Sequence, residues 1–374
     1  MKILVNALPL INLRTGIGRY VENLYKILSR TPGVHVAYYD GKRLLDRLPE
    51  ASLNVERWSL LTKLFWMLPS PVALIVRIAI QWWRERKFQK LCSGFDIYHE
   101  TSFFPFKAPK EVKTVLTVHD LSLIRHPQWH PAERVQFFLK YFVKRLPWVD
   151  GFLSVSDFTK SEMNLLLNIS EKETQTTPLG IDCELFFEPE ARVVMDVREK
   201  YSLPEKYFLC VGSGDPRKNV DVVLAALRSQ KVNGSLVHVG WNGWEKDRTL
   251  EAGEIRLGYV SDEDLPALYA GAIAFVYPSF YEGFGLPLLE AMACGCPVVT
   301  TRLASLPEVA GDAALYLEDP SDAENLALIL NRLDKDPLLR ENLKIKGLER
   351  VKDFSWERTA AATLAMFEQQ LSKK

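Results

Sequence analysis

The feature that most constrains this chain is a rhythm of short apolar runs alternating with helical patterns, which pauses near residue 183 and restarts near residue 205. Lys2–Asn6 reads as a buried strand. A glycine turn containing Gly16 and Gly18 leads into a helix through about Ser29, and Val34–Tyr39 is the next strand. Val112–Val118 and Gly151–Val155 are further strand runs, with helical patterns at Pro131–Leu146 and Asp157–Leu167. After the pause come strands at Tyr207–Val211, Ser235–Val239, Ile273–Tyr277 and Pro297–Thr300. Between them lie helices at Asn219–Arg228, Asp262–Ala270 and Leu286–Cys294. Three late helices follow, near Asp322–Leu333, Pro337–Val351 and Trp356–Leu371. Strands that alternate with helices argue for parallel sheets covered by helices on both faces. The expected fold class is therefore α/β: two doubly wound, Rossmann-like domains facing a cleft. The expected division is residues 1–183, a linker at 184–204 that carries Pro189 and Pro204, residues 205–355, and a last helix at 356–374. In open sheets of this kind ligands sit outside the carboxyl ends of strands, so chemistry is expected in the loops that follow them.

A length of 374 residues suits two ordinary domains. Lys and Arg together number 47, as do Asp and Glu, so no global field draws a polyanion and nucleic acid is not an expected partner. The five cysteines, Cys92, Cys183, Cys210, Cys294 and Cys296, form neither a disulfide framework nor a paired zinc knuckle, which points to a reducing, cytoplasmic compartment. The opening Met1–Ala7 reads as a first strand, not a signal peptide. The most apolar stretch, Leu64–Val76, contains Pro69 and Pro71 and is shorter than the roughly 20 residues of a membrane span.

The most informative motif follows the strand that ends at Tyr277. A loop carries Glu282, Gly283, Phe284 and Gly285. A helix then begins at Leu286 with Pro287 in its first turn, bears Glu290, and stops at Gly295. The glycines let a ligand approach the backbone, and N–H groups at a helix start can hold a phosphate. Glu282 and Glu290 can both reach hydroxyls of a ligand lying over that helix end. Against this stands a plain strand–helix turn, with Glu290 merely favourable near the positive helix end.

This pair of glutamates separated by seven residues, followed by Ala293-Cys-Gly-Cys-Pro-Val-Val-Thr300, resembles the nucleotide-sugar site of retaining glycosyltransferases of family 4. The resemblance runs along most of the chain. It takes in Gly16-Ile-Gly18-Arg19-Tyr20, Thr117-Val-His119-Asp120, Val155-Ser156, Pro178-Leu-Gly180-Ile-Asp182, Val211-Gly212, Pro216-Arg217-Lys218-Asn219 and Leu306-Pro307-Glu308. It implies the GT-B fold, two Rossmann-like domains with a final helix crossing back to the first. It implies a nucleotide-sugar donor, a glycan or lipid-linked acceptor, no essential metal and no resident cofactor.

Gly212-Ser213-Gly-Asp-Pro-Arg217-Lys218 follows a strand and opens a helix, where two cations can neutralise a diphosphate. The bland alternative is a solvated basic turn. In the family two cations grip the donor diphosphate. Lys218 matches the second, and Ser213 stands where the first often is, so Arg217 is expected to take that role. Gly16 and Gly18 lack the third glycine of a dinucleotide fingerprint, and Val21 stands there instead. The resemblance makes them the loop that approaches the donor phosphate from the first domain. His119 ends a strand, and the family places a histidine there beside the donor sugar. Asp120 either orients the acceptor hydroxyl or caps the next segment. Base recognition is expected near Gly258, Tyr259 and Val260.

Asp262-Glu263-Asp264 fits a metal-binding D-x-D pattern, but Ser261 followed by acids reads better as a helix start with Ser261 as its N-cap. Between Trp58 and Lys90, six basic residues and one acid are interleaved with Phe65, Trp66, Met67, Trp82 and Trp83. This stretch is either a pair of buried helices or a surface that meets an anionic membrane, the second being favoured.

The resemblance further implies retention of anomeric configuration, with mannose from GDP-mannose as the expected donor in surface polysaccharide synthesis. Arg217, Lys218 and the amides of Gly283–Leu286 would stabilise the departing diphosphate. Glu282 would hold the donor sugar and Glu290 the ribose. The competing readings are a transferase that uses a UDP-sugar, a GT-B enzyme that does not transfer to a glycan, and a non-catalytic nucleotide-sugar-binding scaffold.

Overall fold

The computed structural model describes residues 1–11, 16–49, 69–228, 232–240, 250 and 253–373. The chain divides into two compact units, one made of Met1–Gly180 with Trp356–Lys374 and the other of Ile181–Ser355.

The first unit is built on a seven-stranded sheet. Its strands are β1 (Lys2–Asn6), β2 (His35–Tyr39), β3 (Leu44–Leu45), β4 (Ile97–Glu100), β5 (Lys113–Val118), β6 (Gly151–Ser154) and β7 (Thr174–Thr176), in the spatial order β3-β2-β1-β4-β5-β6-β7. All pairs are parallel except β2 with the short edge strand β3. Near-continuous burial of β1, β4, β5 and β6 explains why their sequences are apolar runs without alternation. The strand order reverses between β1 and β4, which pair from Ile3 with Ile97 to Val5 with His99. The carboxyl ends of those two strands are therefore where a ligand is expected.

Helix Gly16–Leu28 buries Gly18, Tyr20, Val21, Leu24, Tyr25 and Leu28, the spacing of one helical face. The final helix, Trp356–Ser372, buries Trp356, Thr359, Ala360, Thr363, Met366, Phe367 and Gln370 in the same pattern. It lies in this unit, against helix Gly16–Leu28 and strands β5 to β7. Thr359 Oγ1 donates to the Pro178 carbonyl at 2.6 Å. A Cβ at Gly151 would come within about 3 Å of the side-chain ends of Gln370 and Met366, so the helix seats closely against β6 there. The expected helix at Pro131–Leu146 is shorter. It runs from Ala132 to Tyr141 and passes into a 3-10 segment at Val143–Trp148, which contains Pro147.

The second unit carries a six-stranded, wholly parallel sheet. Its strands are β8 (Tyr207–Val211), β9 (Ser235–Val239), β10 (Glu254–Gly258), β11 (Ala274–Tyr277), β12 (Val298–Thr301) and β13 (Ala314–Leu317), in the order β10-β9-β8-β11-β12-β13. Phe208, Val223, Leu236, Val276, Leu326 and Leu330 pack in one core cluster of this unit. Each fully buried side chain of this kind contributes about 1.5–3 kcal/mol. The order reverses between β8 and β11. The stretch expected as a linker, 184–204, belongs to this unit instead. It forms helix Ala191–Lys200, which buries Val197 and packs on helix Leu265–Ala270. Its high charge belongs to a solvated helix face, which composition alone does not separate from a linker.

Candidate active site

In the second unit the loops after β8 and β11 meet at the reversal of strand order. The first is held by backbone. Gly212 N donates to the Val239 carbonyl at 2.8 Å, and Gly240 N donates to the Gly258 carbonyl at 2.8 Å. His238 Nε2 lies 3.1 Å from the Gly212 carbonyl, which can only accept, so that nitrogen carries the proton. A Cβ on Gly240 would stand 1.9 Å from the Gly212 oxygen, so only glycine permits this approach. Gly212, Gly240 and Gly258 thus interlock three successive strand ends.

Asp215 caps the turn that follows. Its Oδ1 accepts from Arg217 N and its Oδ2 from Arg217 Nε, each at 3.1 Å. Asn219, in the left-handed region at φ 55°, donates its amide to the carbonyls of Pro278 and Pro320. Phe280 N donates to the Arg217 carbonyl at 2.8 Å. The cationic turn and the glycine loop are therefore one rigid assembly. Lys218 Nζ donates to Glu282 Oε1 at 2.5 Å and to the Tyr277 hydroxyl, and it sits 4.5 Å from the centre of the Tyr277 ring. Both side chains of the ion pair are largely buried, 12% and 9% exposed. Burial pulls the Lys218 ammonium below its usual value, with Glu282 opposing. Burial would raise the Glu282 carboxyl, but the Lys218 and Arg217 charges outweigh it and hold the group below its ordinary value.

The glycine loop hangs from three hydroxyls. Thr300 Oγ1 donates to the Tyr277 carbonyl at 2.9 Å and Thr301 Oγ1 to the Ser279 carbonyl at 2.8 Å. Ser305 Oγ lies 2.9 Å from the carbonyls of both Glu282 and Phe284. Gly285, at φ 98°, is the N-cap of helix Leu286–Ala293, and a Cβ there would meet Leu306 at 2.9 Å. Gly283 and Leu286 flank this turn, and Phe284 is 5% exposed. Glu290 lies deeper than expected of a ligand-facing side chain, 3% exposed, with the Tyr269 hydroxyl on its Oε2 at 2.9 Å. Ser213 follows Gly212 in the cationic turn. Tyr259 is half exposed beside buried Val260, directly after β10.

In the first unit the strand-order reversal holds a buried carboxylate. Both Glu100 oxygens accept from Asn6 Nδ2, at 2.9 and 2.8 Å. Tyr98 and Ser102 hydroxyls each donate to Glu100 at 2.5 Å, and Ser102 N does so at 2.9 Å. This cluster fixes the start of the next loop. Its Thr101 carbonyl lies 2.9 Å from His119 Nε2, just after β5. Burial lowers the His119 pKa, against the Thr101 hydrogen bond and the Asp120 charge, so the ring is neutral at neutral pH. Asp120 Oδ1 accepts from Ser122 N at 2.9 Å and Ser122 Oγ at 2.7 Å, at the start of helix Ser122–Arg125, whose N-cap is Leu121. Gly16 opens helix Gly16–Leu28 and Gly18 is buried on it.

Ser261 is not the N-cap of a helix over 262–270. The helix spans Leu265–Ala270, and Asp264 precedes it. Asp264 Oδ2 takes bonds from Lys200 Nζ, the Tyr201 hydroxyl and Ser261 Oγ. Part of the Trp58–Lys90 stretch, residues 58–68, lies outside the described residues. The rest is helix Ser70–Gln89, which buries only Ala73, Gln81 and Phe88. Sequence reading missed Ser305, Thr301, Tyr277 and Gly240. Their one signal is position, at or just after strand ends.

Two doubly wound sheets, one carrying a buried cation–carboxylate pair and a glycine loop at its switch point, define the GT-B glycosyltransferase class. Glycosyltransferase Family 4 matches residues 14–185, and Glycosyl transferases group 1 matches residues 196–350. O-antigen chain mannosyltransferase B of Escherichia coli is 35% identical over 385 residues, covering 97% of this chain and 98% of that protein. MMP alpha-(1->4)-mannosyltransferase of Mycolicibacterium hassiacum is 32% identical, over 60% of this chain and 55% of that protein. Among solved structures, sucrose-phosphate synthase of Thermosynechococcus elongatus superposes with a TM-score of 0.72 at 23% identity, covering 100% of this chain and 99% of that one. WaaG, a glycosyltransferase involved in lipopolysaccharide biosynthesis, gives 0.67 at 16%, covering all of both chains. The chain belongs to glycosyltransferase family 4, and it is a glycosyltransferase of the GT-B fold.

Proposed function

We propose that this enzyme moves a mannosyl residue from GDP-mannose onto a glycan or lipid-linked acceptor in surface polysaccharide synthesis. The observation that carries the reading is the buried Lys218–Glu282 pair beneath the glycine loop. A cation meets a phosphate there, and a carboxylate one contact away meets sugar hydroxyls. This is the adjacency that a sugar–diphosphate junction requires. The choice of mannose rests on the names of relatives, O-antigen chain mannosyltransferase B foremost.

Lys218, Arg217 and the loop amides would stabilise the diphosphate as negative charge gathers on it. Arg217 would exchange Asp215 for phosphate. Glu282 would hold the donor sugar and Glu290 the ribose. The Gly258–Val260 edge would face the base. Gly16 and Gly18 would approach the donor phosphate from the first domain. His119, with its Nε2 proton committed to Thr101, offers Nδ1 as an acceptor for a donor-sugar hydroxyl. In the retaining reaction, the anomeric C–O bond to diphosphate breaks and a C–O bond to the acceptor hydroxyl forms on the same face. The acceptor's proton passes to the departing phosphate oxygen. An inverted product anomer sinks this mechanism. No resident cofactor or metal is invoked, and turnover that is unaffected by chelator checks that point.

A thermal-shift panel of GDP, UDP, ADP, TDP and CMP tests the donor. Ligand at 100 times its Kd stabilises by about 2.7 kcal/mol. A selective GDP shift supports the reading, a selective UDP shift replaces the donor, and no shift at all removes it.

A second reading concerns helix Ser70–Gln89. Val72, Ile75, Trp82 and Trp83 are exposed on it, Arg86 stacks over Trp82 at 4.2 Å, and Lys87 and Lys90 follow. Apolar and indole surface ending in a basic turn suits the headgroup region of an anionic bilayer. We propose peripheral contact there, at the cytoplasmic face. Among the described residues no helix is long and apolar enough to cross a membrane.

A further inference from the structure

The surroundings of His119 come from the loop after β4 and from helix Gly16–Leu28. The Thr101 carbonyl after β4 fixes the tautomer, because a carbonyl accepts only. Helix Gly16–Leu28 supplies the Tyr20 ring, which meets the imidazole edge-on with centroids 5.0 Å apart and planes at 82°. Phe103 flanks the same imidazole at 6.2 Å. Tyr20 itself has no freedom. It is fully buried, and its hydroxyl lies 2.9 Å from Thr117 Oγ1. Thr117 Oγ1 lies 2.8 Å from His99 Nε2, and His99 Nδ1 lies 2.6 Å from the Tyr25 hydroxyl. The final helix closes the assembly, with Trp356 6.2 Å from the Tyr20 ring and Phe367 5.2 Å from the His99 ring.

We infer that Tyr20 is a positioning residue for His119: its ring, locked through Thr117 to His99 and backed by Trp356, holds the imidazole in the plane where Nε2–H meets Thr101 and Nδ1 stays a hydrogen-bond acceptor. The consequence for catalysis rests on the reading that His119 meets the donor sugar. The Tyr20–Thr117–His99–Tyr25 chain lies one layer behind His119. A run of hydroxyls joined to a wholly buried neutral histidine is an expensive way to fill a core unless it fixes something. The titratable groups facing His119 are Asp120 on its own loop, His99 on β4 and Tyr20 on the helix. Burial pulls the His99 pKa down to about 3, so it carries no charge at working pH. Removing the Tyr20 ring therefore acts on His119 by admitting water, which raises its pKa toward the ordinary 6.5.

The test uses the full chain with 15N-labelled histidine, whose ring nitrogen shifts report tautomer and titration directly. His119→Gln assigns the resonance by deletion. Wild type is expected to show a single neutral Nε2–H form, and Tyr20→Phe, which keeps the ring but loses its bond to Thr117, a small departure from it. Tyr20→Leu is expected to show mixed tautomers and an upward-moved titration. With GDP-mannose as the probe substrate, its kcat is expected to fall about tenfold or more, with little change in KM. Thr117→Val keeps the core volume and unlocks the Tyr20 hydroxyl, so it carries the same test, with a smaller shift, should Tyr20→Leu not fold. An unchanged His119 tautomer and titration in whichever of these variants folds would overturn the inference. His119→Gln with full turnover would instead overturn the sugar-contact reading and leave the spectra to decide the positioning role.

Discussion

Lys218 Nζ and Glu282 Oε1 lie 2.5 Å apart, yet 64 residues separate them in the chain. The pair exists because β8 and β11 are neighbours in the sheet, so the loops after them converge. Removing one member of a buried pair leaves the other uncompensated, at about 3–5 kcal/mol. Lys218→Met is therefore expected to lower unfolding free energy by that order in chemical denaturation. It should also lower kcat by about 10²–10³-fold through loss of diphosphate stabilisation. Unchanged turnover in a folded variant removes Lys218 from the site.

The same pair carries a pH dependence. The Glu282 carboxyl is held below its ordinary 4.5, so the folded state binds fewer protons than the unfolded chain through that range. Its stabilising contribution is complete above pH 4.5 and is lost as pH falls through the lowered folded value. Glu282→Gln should flatten that part of the acid-denaturation curve. An acid limb identical to wild type would contradict the sign.

Gly240→Ala places a methyl 1.9 Å from the Gly212 carbonyl at a φ of 143°. The overlap and the backbone strain together should cost about 2–3 kcal/mol and displace the loop that precedes the two cations. Nucleotide affinity measured by calorimetry is expected to fall even at temperatures where the variant stays folded. Gly16→Ala, with no heavy atom of the described residues within 4 Å of the added methyl, is the matched control for stability.

Ser305→Ala removes the hydroxyl shared by the Glu282 and Phe284 carbonyls and leaves both buried. The expected loss is about 1–3 kcal/mol. Because those carbonyls bracket Gly283, donor affinity should fall alongside stability. Ser305→Thr, which keeps the oxygen, should restore part of both. An alanine variant with wild-type donor affinity would show that the loop needs no such tether.

For the helix Ser70–Gln89, vesicle co-sedimentation separates the membrane reading from a merely solvated face. Binding is expected to anionic phosphatidylserine vesicles and not to neutral ones. Each basic residue contributes about 1 kcal/mol near the surface. Trp82→Ala with Trp83→Ala should weaken it, and Arg86→Glu with Lys87→Glu should abolish it while turnover on a soluble acceptor is unaffected.

Local order was written in the sequence wherever a residue acts on its own neighbours. Helix Asp157–Leu167 appears at its expected bounds, because Ser156 caps Thr159 N through a bond that the spacing already encodes. The glycine loop and helix start at Gly285–Leu286 were legible for the same reason: a left-handed glycine, then proline in the first helical turn. The short strands β4, β10 and β13 were not, since four or five residues are too few to show a period. Nor did composition distinguish helix Ala191–Lys200 from a linker. Two glutamates, a lysine and a histidine could be picked out by type and position. What tertiary structure alone decided is which of them meet, and on whose support. Arg217 is paired with Asp215, Glu290 is buried on Tyr269, His119 meets the Thr101 carbonyl and the Tyr20 ring, and Tyr20 in turn meets Trp356, more than 300 residues away. Strand order sets those meetings, and strand order is fixed by the packing of whole sheets, which no local stretch of the chain contains.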